Sequence, residues 1–428
     1  MELITKAIKG TNDVLPKDSY KLDFVEGILK QEALLYGFKE IRTPVFEHTE
    51  LFSRSVGQTS DVVQKEMYTF DDKGGRSITL RPEGTAGVAR SMLEHGLYNE
   101  GLPLKTYYLS SCYRYEKPQA GRLREFHQFG LEVFGAGSPS ADAELISMAC
   151  SLFKRLDLKN ISLQINSIGC PHCRQKYNEA LKDYFEENKS GLCHTCIDRL
   201  SRNPMRILDC KNPSCKEIAI NAPVILDYLC DECAEHFEGV KSYLDAINIE
   251  YKVNPRIVRG LDYYTKTVFE FICEDIGAQG TICGGGRYDG LIEEIGGPNM
   301  PSLGFGIGIE RLMLVMEKQN IDIPKPEGCD LYIASIGQKA GLKAFKLANE
   351  IRKSGLICEI DLVGKSVKAQ MKYANKINAK FSMVLGDDEI ERNSAEIKYM
   401  PLSEKSRISI GENFASEFFR LHIEKFNG

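Results

Sequence analysis

The chain has 428 residues, of which 43% are apolar, 27% charged and 9% aromatic, a composition typical of folded globular proteins and unlike that of disordered ones. At about 150 residues per domain, this length predicts two to four domains. The formal net charge of −5 gives no overall positive field, so any contact with nucleic acid has to come from local basic patches.

The N-terminal sequence MELITKAIKGTNDVLP lacks the apolar run of a secretory signal, and no stretch of the sequence is long and apolar enough to cross a bilayer. We therefore expect a cytoplasmic protein that has no membrane segment. In such a protein the fourteen cysteines are expected to be reduced thiols or metal ligands.

The first part of the main domain is predicted to be residues 1–165. It begins with an amphipathic helix over Asp18–Tyr36, where apolar residues recur at three- and four-residue steps and Gly37 follows as a stop. From residue 38 to about 137, short apolar runs bounded by Gly, Pro and Asn predict a mostly antiparallel sheet. A second helix is predicted over Ala141–Leu156.

Two strands predicted within this part carry polar side chains on one face. In Ser110–Glu116 the period of two places Arg114 and Glu116 together. The corresponding face of Glu125–Phe134 consists of Phe126, Gln128, Gly130 and Glu132. The connecting loop KPQAGRLR, which contains Arg122, is basic and of the length to close over a phosphate chain.

Each of these features also has an ordinary structural explanation. Arg114, Glu116 and the basic loop fit a solvated face of two antiparallel strands. Glu83 in LRPEGTAG fits a carboxylate at a helix N-terminus. The string CGGGRYDG fits close backbone packing, because its spacing is neither that of a phosphate-binding loop nor that of a dinucleotide fingerprint.

A cysteine-rich insertion is predicted over residues 166–254. Its cysteines form four close pairs, Cys170 with Cys173, Cys193 with Cys196, Cys210 with Cys215, and Cys230 with Cys233. Thiolates at such spacings hold Zn²⁺ tetrahedrally, so we expect at least one structural zinc ion, with reduced core cysteines as the alternative. The sequence does not show which pairs come together.

Residues 255–320 are predicted to complete the main domain, because strand-like sequence resumes there and leads to an apolar helix over Gly308–Glu317. Arg311, in the first turn of this helix, is expected to be buried and to need an anionic partner, either a carboxylate or a phosphate. The Pro-rich segment 320–330 predicts a linker. Residues 329–428 then alternate strand-like and helical runs, which predicts a small α/β domain.

Several of these strings match a known family. The R-x-E strand, the basic hairpin, the return strand and the late G-x-G-x-E-R element resemble motifs 2 and 3 of class II aminoacyl-tRNA synthetases, and GFKEIRTPVFE resembles motif 1. VRGLDYYTKTVFE and CGGGRYDGL resemble the histidine-specific elements of the histidyl-tRNA synthetase family, which IKGTNDVLP and LRPEGTAG also fit. The resemblance extends from about Ile8 into the C-terminal domain.

The resemblance implies an α+β fold, in which a class II antiparallel-sheet catalytic domain carries the cysteine-rich insertion and precedes a C-terminal α/β anticodon-binding domain. It also implies a homodimer built on motif 1, with histidine, ATP and tRNA(His) as substrates. Many members of the family have an insertion at this place without such cysteines, so the zinc is expected from the cysteine spacing and does not follow from the resemblance. By its position, the insertion is expected to approach the acceptor stem of the tRNA.

For ATP, the resemblance implies that Arg114 binds the α-phosphate beside the substrate carboxylate and that Glu116 contacts adenine. Phe126 is then expected under the adenine ring, with Arg311 above it and reaching the γ-phosphate. Arg122 of the hairpin loop belongs to the same implied site. Mg²⁺ is expected to bridge the β- and γ-phosphates.

For histidine, the implied site has Glu83 and Thr85 at the α-amino group, Gln128 at the carboxylate, Glu132 and Tyr264 at the two imidazole nitrogens, and Tyr263 and Tyr288 in the wall, with Arg114 and Arg259 beside them. A neutral imidazole offers one donor and one acceptor, which a carboxylate opposite a phenol satisfies.

The implied reaction joins histidine and ATP to histidyl-adenylate and pyrophosphate, and then transfers histidine to the 3′ end of tRNA(His). Arg259, Arg114 and Gln128 are the implied catalytic residues, with the Arg259 guanidinium stabilising charge that develops at the α-phosphorus. One alternative is the synthetase-like regulatory subunit of ATP phosphoribosyltransferase, which shares the sheet and typically lacks the C-terminal domain. Another is a class II synthetase for a different amino acid.

Overall fold

The computed structural model describes residues 4–57, 60, 62–257 and 259–426. Val258, the first residue of the string VRGLDYYTKTVFE, lies outside the described residues, as do the first three residues of the predicted range 1–165 and the last two of 329–428. The chain divides into two compact units, Met1–Pro324 and Lys325–Gly428, and the division falls within the Pro-rich segment 320–330.

The helices of the first unit are α1 (Ser19–Leu35), α2 (Thr49–Ser55), α3 (Thr85–Glu94), α4 (Pro139–Arg155), α5 (Pro171–Glu187), α6 (His194–Arg202), α7 (Pro213–Ile220), α8 (Asp231–Ala246), α9 (Leu291–Glu294) and α10 (Ile309–Lys318). Its strands are β1 (Lys39–Glu40), β2 (Phe46–His48), β3 (Tyr68–Asp71), β4 (Ser77–Leu80), β5 (Leu104–Tyr113), β6 (Glu125–Phe134), β7 (Ile161–Ser167), β8 (Lys252–Val253), β9 (Thr265–Cys273), β10 (Thr281–Arg287) and β11 (Ser302–Gly308). Short 3₁₀ or π turns cover Val62–Glu66, Leu97–Asn99, Lys189–Gly191, Pro204–Ile207, Ile225–Tyr228 and Glu274–Gln279.

The two helices predicted in the first part are confirmed within one or two residues at each end, as α1 and α4. In α1 the fully buried residues Val25, Leu29 and Ala33 recur at four-residue steps and form the apolar stripe of an amphipathic helix. Gly37 follows with a φ of +79°, a left-handed conformation that glycine adopts without Cβ strain.

The central sheet has the strand order β1-β5-β6-β11-β10-β9-β7-β8. From β5 to β7 every neighbouring pair is antiparallel, and the short strands β1 and β8 add parallel edges. This confirms the mostly antiparallel sheet. A smaller antiparallel sheet has the order β2-β4-β3.

The prediction that a strand runs to Glu116 is wrong, because β5 ends at Tyr113. The N–H of Arg114 still donates to the carbonyl of Arg124 across the hairpin at 2.9 Å. The N–H of Glu116 donates back to the carbonyl of Arg114 at 2.8 Å, a three-residue turn that takes the chain out of the extended ladder.

The two faces of the central sheet have different coverings. One face packs against α1, α4, α8 and α10 in a continuous apolar core. The other face carries buried tyrosines and packs against the cysteine-rich segment. The second face is covered only in part, by α3 and the insertion, and it leaves a space that polar side chains surround.

Helix α10, which corresponds to the predicted apolar helix over Gly308–Glu317, is buried on one side only. Leu312 and Val315 are fully buried, whereas Met313 and Leu314 remain partly exposed. Arg311 is only partly buried, which corrects the expectation of a buried arginine.

The second unit contains β12 (Leu331–Ser335), α11 (Gly337–Lys353), β13 (Cys358–Ile360), α12 (Val367–Lys376), β14 (Phe381–Leu385), α13 (Asp387–Glu391), β15 (Ser394–Tyr399), β16 (Glu404–Ser409) and α14 (Phe414–Phe426). Its sheet has the order β13-β12-β14-β15-β16. The strands β13, β12 and β14 are parallel, as the alternating pattern predicts, and the hairpin β15-β16 adds an antiparallel edge. Within the described ranges, every helix of the chain is too short or too polar to span a membrane.

Candidate active site and cysteine groups

A cavity of about 260 Å³ lies over β6, β10 and β11 on the tyrosine-bearing face of the central sheet. It brings together nearly all the residues predicted to bind ATP or histidine, although they come from widely separated stretches of the sequence. Those that line it are Glu83, Thr85, Arg114, Glu116, Arg122, Phe126, Gln128, Arg259, Tyr263, Tyr264, Tyr288 and Arg311.

Glu132 lies beneath the cavity and is 1% exposed. The Thr85 hydroxyl donates to its carboxylate at 2.7 Å, and the Tyr288 hydroxyl donates to the other oxygen. Burial raises the pKa of Glu132 to about 8, although both hydroxyl donors favour the ionised form. A Cβ on Gly304 would lie 2.2 Å from this carboxylate, so the site requires glycine there.

Glu83 both caps a helix and lines the cavity. Its carboxylate accepts the backbone N–H groups of Thr85 at 2.7 Å and Ala86 at 2.9 Å, in the first turn of α3. Glu83 therefore does act as a carboxylate at a helix N-terminus, which was its structural explanation. Burial raises the pKa of Glu83, and the two backbone donors and the nearby Arg114 oppose that rise.

Three tyrosines form the wall beside Glu132. The ring centroid of Tyr263 lies 4.7 Å from that of Tyr264 and 5.4 Å from that of Tyr288. All three are at most 7% exposed. Such rings leave an aromatic slot with phenol groups at its edge.

Arg259 lines the cavity beside this slot. It forms an ion pair with Glu270, and its guanidinium lies 5.5 Å from the centroid of Tyr264. Its Nε is buried and has no hydrogen-bond partner within the described part of the chain. A Cβ on Gly284 would lie 2.3 Å from Arg259 Nη2, so the glycine-rich strand β10 makes room for the guanidinium.

Arg114 and Phe126 form the next part of the wall. The Nε of Arg114 donates to the carbonyl of Pro82 at 2.8 Å, and its guanidinium lies 5.3 Å from the Phe126 ring centroid. Across the hairpin, Arg122 and Glu116 form an ion pair of 3.0 Å. The basic hairpin therefore lines the cavity with an arginine that is paired with Glu116.

Arg311 faces the same space and donates to the carbonyl of Thr281 at 2.6 Å. Burial lowers the pKa of Arg311, and the neighbouring guanidinium groups of Arg122 and Arg114 lower it further. The guanidinium groups of Arg114, Arg122 and Arg311 thus converge on a cavity that Glu83, Glu116 and Glu310 also line, and guanidinium groups suit the oxygens of a phosphate chain.

Two residues of the site have no assigned role in the sequence interpretation. Tyr108 is 2% exposed and lies where a Cβ on Gly84 or Gly130 would approach its ring to 2.2 Å. Its hydroxyl points to Gln128 Oε1 at 3.4 Å. Glu270, the partner of Arg259, has a sequence signal, because it is a single charge between two phenylalanines in an apolar strand.

The cysteine pairs come together as two groups of four. The outer group is Cys170, Cys173, Cys230 and Cys233, and the inner group is Cys193, Cys196, Cys210 and Cys215. Within each group the four sulfur atoms lie within 4.8 Å of one another. Tetrahedral Zn²⁺ with Zn–S bonds of about 2.3 Å needs sulfurs about 3.8 Å apart, close to the 3.6–4.0 Å of the closest pairs.

Each group also has a backbone donor for a thiolate. The N–H of Cys230 donates to the sulfur of Cys173 at 3.1 Å, and the N–H of Cys193 donates to that of Cys215 at 3.2 Å. Such donors stabilise the negative charge of a sulfur ligand. Both groups therefore have the ligand set and the spacing to hold a metal ion.

Comparison with known proteins identifies the family to which this architecture belongs. The sequence model for histidyl-tRNA synthetase matches residues 10–312, and that for the anticodon binding domain matches residues 330–416. A histidine–tRNA ligase of Caldanaerobacter subterraneus subsp. tengcongensis is 59% identical over 410 residues, covering 96% of this chain and 98% of that protein. One from Clostridium novyi is 59% identical over 405 residues, covering 95% and 96%.

Solved structures agree with these relatives. The crystal structure of apo S. aureus histidyl-tRNA synthetase has 40% sequence identity and a TM-score of 0.83, covering 97% of this chain and 100% of that one. Histidyl-tRNA synthetase from Nostoc sp. PCC 7120 has a TM-score of 0.66 at 19% identity, which shows a shared fold. From the family match over residues 10–312 and the relatives that span nearly the whole chain, we conclude that this chain belongs to the histidyl-tRNA synthetase family.

Proposed function

We propose that the chain is a histidine–tRNA ligase, which activates histidine with ATP to histidyl-adenylate and then transfers histidine to the 3′ end of tRNA(His). The observation that carries this proposal is a single cavity in which a buried carboxylate among phenols lies beside converging arginines. The first part suits an imidazole and the second a polyphosphate.

At the histidine end, the buried carboxylate of Glu132 accepts from one imidazole nitrogen while the Tyr264 hydroxyl donates to the other. Glu83 and Thr85 receive the ammonium group, and Gln128 holds the carboxylate. An apolar side chain of similar size would offer no hydrogen bond to the buried carboxylate or phenol, and a hydrogen bond lost at a buried polar group costs about 1–3 kcal/mol. Selection of histidine follows from that penalty.

At the ATP end, adenine stacks between Phe126 and Arg311, and Glu116 contacts its edge. Arg114 holds the α-phosphate, while Arg122 and Arg311 neutralise the outer phosphates. Mg²⁺ would supply further neutralisation of the phosphates, and Glu116 is a cavity carboxylate that could help to hold it.

In the first step a histidine carboxylate oxygen attacks the α-phosphorus, the bond to the bridging oxygen breaks, and pyrophosphate leaves. Arg259, still paired with Glu270, donates to an α-phosphate oxygen and stabilises the charge of the pentavalent transition state. Its buried Nε, which has no hydrogen-bond partner among the described residues, is the donor available for that oxygen. In the second step the tRNA 3′-hydroxyl attacks the histidyl carbonyl and AMP leaves.

We propose the domain division 1–165, 166–254, 255–320 and 329–428, with Zn²⁺ in both cysteine groups. All-thiolate sites suit zinc, which has no redox chemistry of its own and whose closed four-ligand sites are structural. The ends of the insertion adjoin the sheet, because β7 runs to Ser167 and β8 covers Lys252–Val253. Metal analysis of the purified chain is expected to give two zinc ions per chain, one for each group.

The second unit is proposed to bind the anticodon of tRNA(His). Along α12, Lys368, Lys372 and Lys376 recur at four-residue steps and are exposed, with the exposed Lys365 just before the helix. Residues four apart share a helix face. This is the local basic patch that a chain of net charge −5 needs in order to bind RNA.

We further propose a cytoplasmic homodimer that uses the motif 1 region. Leu34 and Leu35 at the end of α1 and Phe46 in β2 are 63%, 74% and 52% exposed. Large apolar side chains exposed in and beside this region are ones that a protein contact would cover. Light scattering of the purified chain tests this, with twice the mass of 48.1 kDa as the expected result.

Histidine-dependent exchange of pyrophosphate into ATP tests the main proposal. We expect exchange with the wild-type chain, its loss in Arg259→Ala, and none with threonine, proline or glycine in place of histidine. Histidine binding without exchange in the wild type would instead support a regulatory role, as in the synthetase-like subunit of ATP phosphoribosyltransferase.

A further inference from the structure

The loop over residues 259–264 contains Arg259, Tyr263 and Tyr264, and within the described residues it has no regular secondary structure apart from turns. Residues that provide catalytic geometry have to be held to within about 0.5 Å. Contacts from outside the loop must therefore fix its backbone. The cysteine-rich insertion supplies them.

Arg206 is the first of these contacts. It lies in the turn Pro204–Ile207, between two ligands of the inner cysteine group, Cys196 and Cys210, and is 8% exposed. Its Nη2 donates to the carbonyl of Gly260 at 2.7 Å and to the carboxylate of Asp262 at 2.8 Å. One guanidinium thus holds two points of the loop.

Arg174 is the second contact, and it belongs to the outer cysteine group. It follows Cys173 directly in α5. Its Nη1 donates to the carbonyl of Tyr264 at 3.1 Å. Arg174, Arg206, Arg259 and Tyr264 line one small cavity of about 40 Å³ behind the active site, so the two supports meet on the side of the loop away from the ligand.

The turn that carries Arg206 has little stability of its own. A single 3₁₀ turn is a weak local structure, and it is connected to Cys210 by two residues, Leu208 and Asp209. Its carbonyl at Arg206 accepts from Arg199 Nη1 at 3.1 Å. A metal ion that ties Cys196 to Cys210 closes this segment at both ends and removes its freedom to move.

We propose that Arg174 and Arg206 are positioning residues for adenylate formation, and that a zinc ion in each cysteine group holds one of them against the 259–264 loop. The proposal rests on the proposed function. The zinc ions take no part in the chemistry. They fix the insertion, the insertion fixes the loop backbone through two arginines, and the loop presents Arg259 and the tyrosines to histidine and ATP.

The first test replaces the arginines in the full-length, zinc-loaded chain. Arg206→Ala and Arg174→Ala are expected to lower kcat of pyrophosphate exchange by about 10- to 100-fold, the size of effect that a shift of about 1 Å produces. Arg206→Lys should recover part of the rate, because an ammonium reaches one of the two acceptors. Arg202→Ala, an exposed arginine of the same insertion, is the matched control and should behave as wild type.

Two readouts separate positioning from general damage. The zinc content of Arg206→Ala should stay at two per chain, and backbone hydrogen exchange of residues 259–264 should become faster than in Arg202→Ala. The proposal would be overturned if residues 259–264 exchanged hydrogen equally fast in Arg206→Ala and Arg202→Ala, or if the two variants had equal kcat. A wild-type chain without histidine-dependent pyrophosphate exchange would overturn the proposed function, while the hydrogen-exchange comparison would still decide the positioning role.

A second test replaces one cysteine in each group and so removes one metal ion at a time. Cys210→Ser is expected to lose one zinc per chain and to give the fast hydrogen exchange of Arg206→Ala in residues 259–264. Cys170→Ser should lose the other ion and act through Arg174. Loss of the ion with an unchanged exchange rate in this peptide would contradict the link between metal and loop.

Discussion

Glu132 keeps a proton that the unfolded chain gives up. Burial raises the pKa of Glu132 to about 8 from a usual value of 4.5, so between these pH values the folded state binds one more proton than the unfolded state. Each pH unit in this window therefore removes up to about 1.4 kcal/mol of stability. The contribution is fully present below the lower value and is lost as pH rises to about 8.

Replacement of Glu132 by glutamine removes this titration. We expect the melting temperature of Glu132→Gln to rise relative to wild type as the pH increases from 5.5 to 7.5, because only the wild type loses stability by this route. Thermal unfolding followed by circular dichroism at the two pH values measures the difference. A gap between variant and wild type that does not grow with pH would contradict the assignment of the raised pKa to Glu132.

Glu270 is the second residue whose replacement is expected to change a measurable property. It pairs with Arg259, which is otherwise a buried cation, and removing one partner of a buried pair costs about 3–5 kcal/mol. We expect Glu270→Ala to lower both the melting temperature and kcat of pyrophosphate exchange, with Glu270→Gln between it and wild type. Faster exchange in Glu270→Ala would show that the ion pair only restrains Arg259.

The residues around the cavity show how far single positions can be predicted. Arg114, Glu132 and Arg259 could be assigned to one site from the sequence, because each lies in a segment that resembles a motif of the family. Tyr108 carries no such signature. Its place opposite Gly130 depends on the register between β5 and β6, which alternation along one strand does not determine.

Strand β10 shows how one element determines the space available in the site. Its glycines Gly284 and Gly285 are neighbours, but a Cβ would meet different obstacles. At Gly284 it would meet the end of the Arg259 side chain at 2.3 Å, and at Gly285 the backbone oxygen of Gly304 at 2.3 Å. A side chain can move aside, whereas paired backbone in the middle of a sheet cannot do so cheaply.

We therefore expect Gly284→Ala to lower kcat of pyrophosphate exchange at least about 10-fold by displacing the Arg259 guanidinium, while its melting temperature stays near that of wild type. Gly285→Ala should lose stability, by about 1–3 kcal/mol as for overpacked cores. Parallel thermal unfolding and exchange assays compare the two. The reverse order of stability would contradict the packing argument.

Secondary structure was predicted best where the hydrophobic period was long and unbroken, as in α1, α4 and the alternation of β12, α11, β13, α12 and β14. The errors fall where tertiary contacts override local pattern. A turn ends β5 at Tyr113 although alternation continues, and Arg311 is partly exposed because the ligand cavity opens beside α10. Neither feature can be predicted from the hydrophobic periodicity of the local sequence.

At the scale of the molecule, the cysteine pairing is what the sequence leaves open. Cys170 and Cys230 are far apart along the chain, and nothing in the spacing favours their association over others. The fold decides it, because β7 and α8 deliver the two ends of the insertion to neighbouring positions beside the sheet. The inner group then forms from the cysteines that remain.

The basic face of α12 gives a prediction for the tRNA that is independent of the catalytic site. Replacing Lys368, Lys372 and Lys376 together by alanine removes three exposed cations from one helix face. Each cation that contacts a phosphate contributes a little under one unit to the slope of log affinity against log salt concentration. The triple variant should therefore raise KM for tRNA and flatten the salt dependence of aminoacylation.

Pyrophosphate exchange needs no tRNA, so it should be the same in this triple variant as in wild type. A matched triple, Lys339, Lys346 and Lys353 to alanine, changes the net charge equally and removes exposed lysines of α11. If both triples change KM for tRNA alike, general electrostatic attraction carries the binding. If only the α12 triple does, the unit recognises RNA through a defined face, and a chain of negative net charge binds a polyanion by concentrating its cations on one helix.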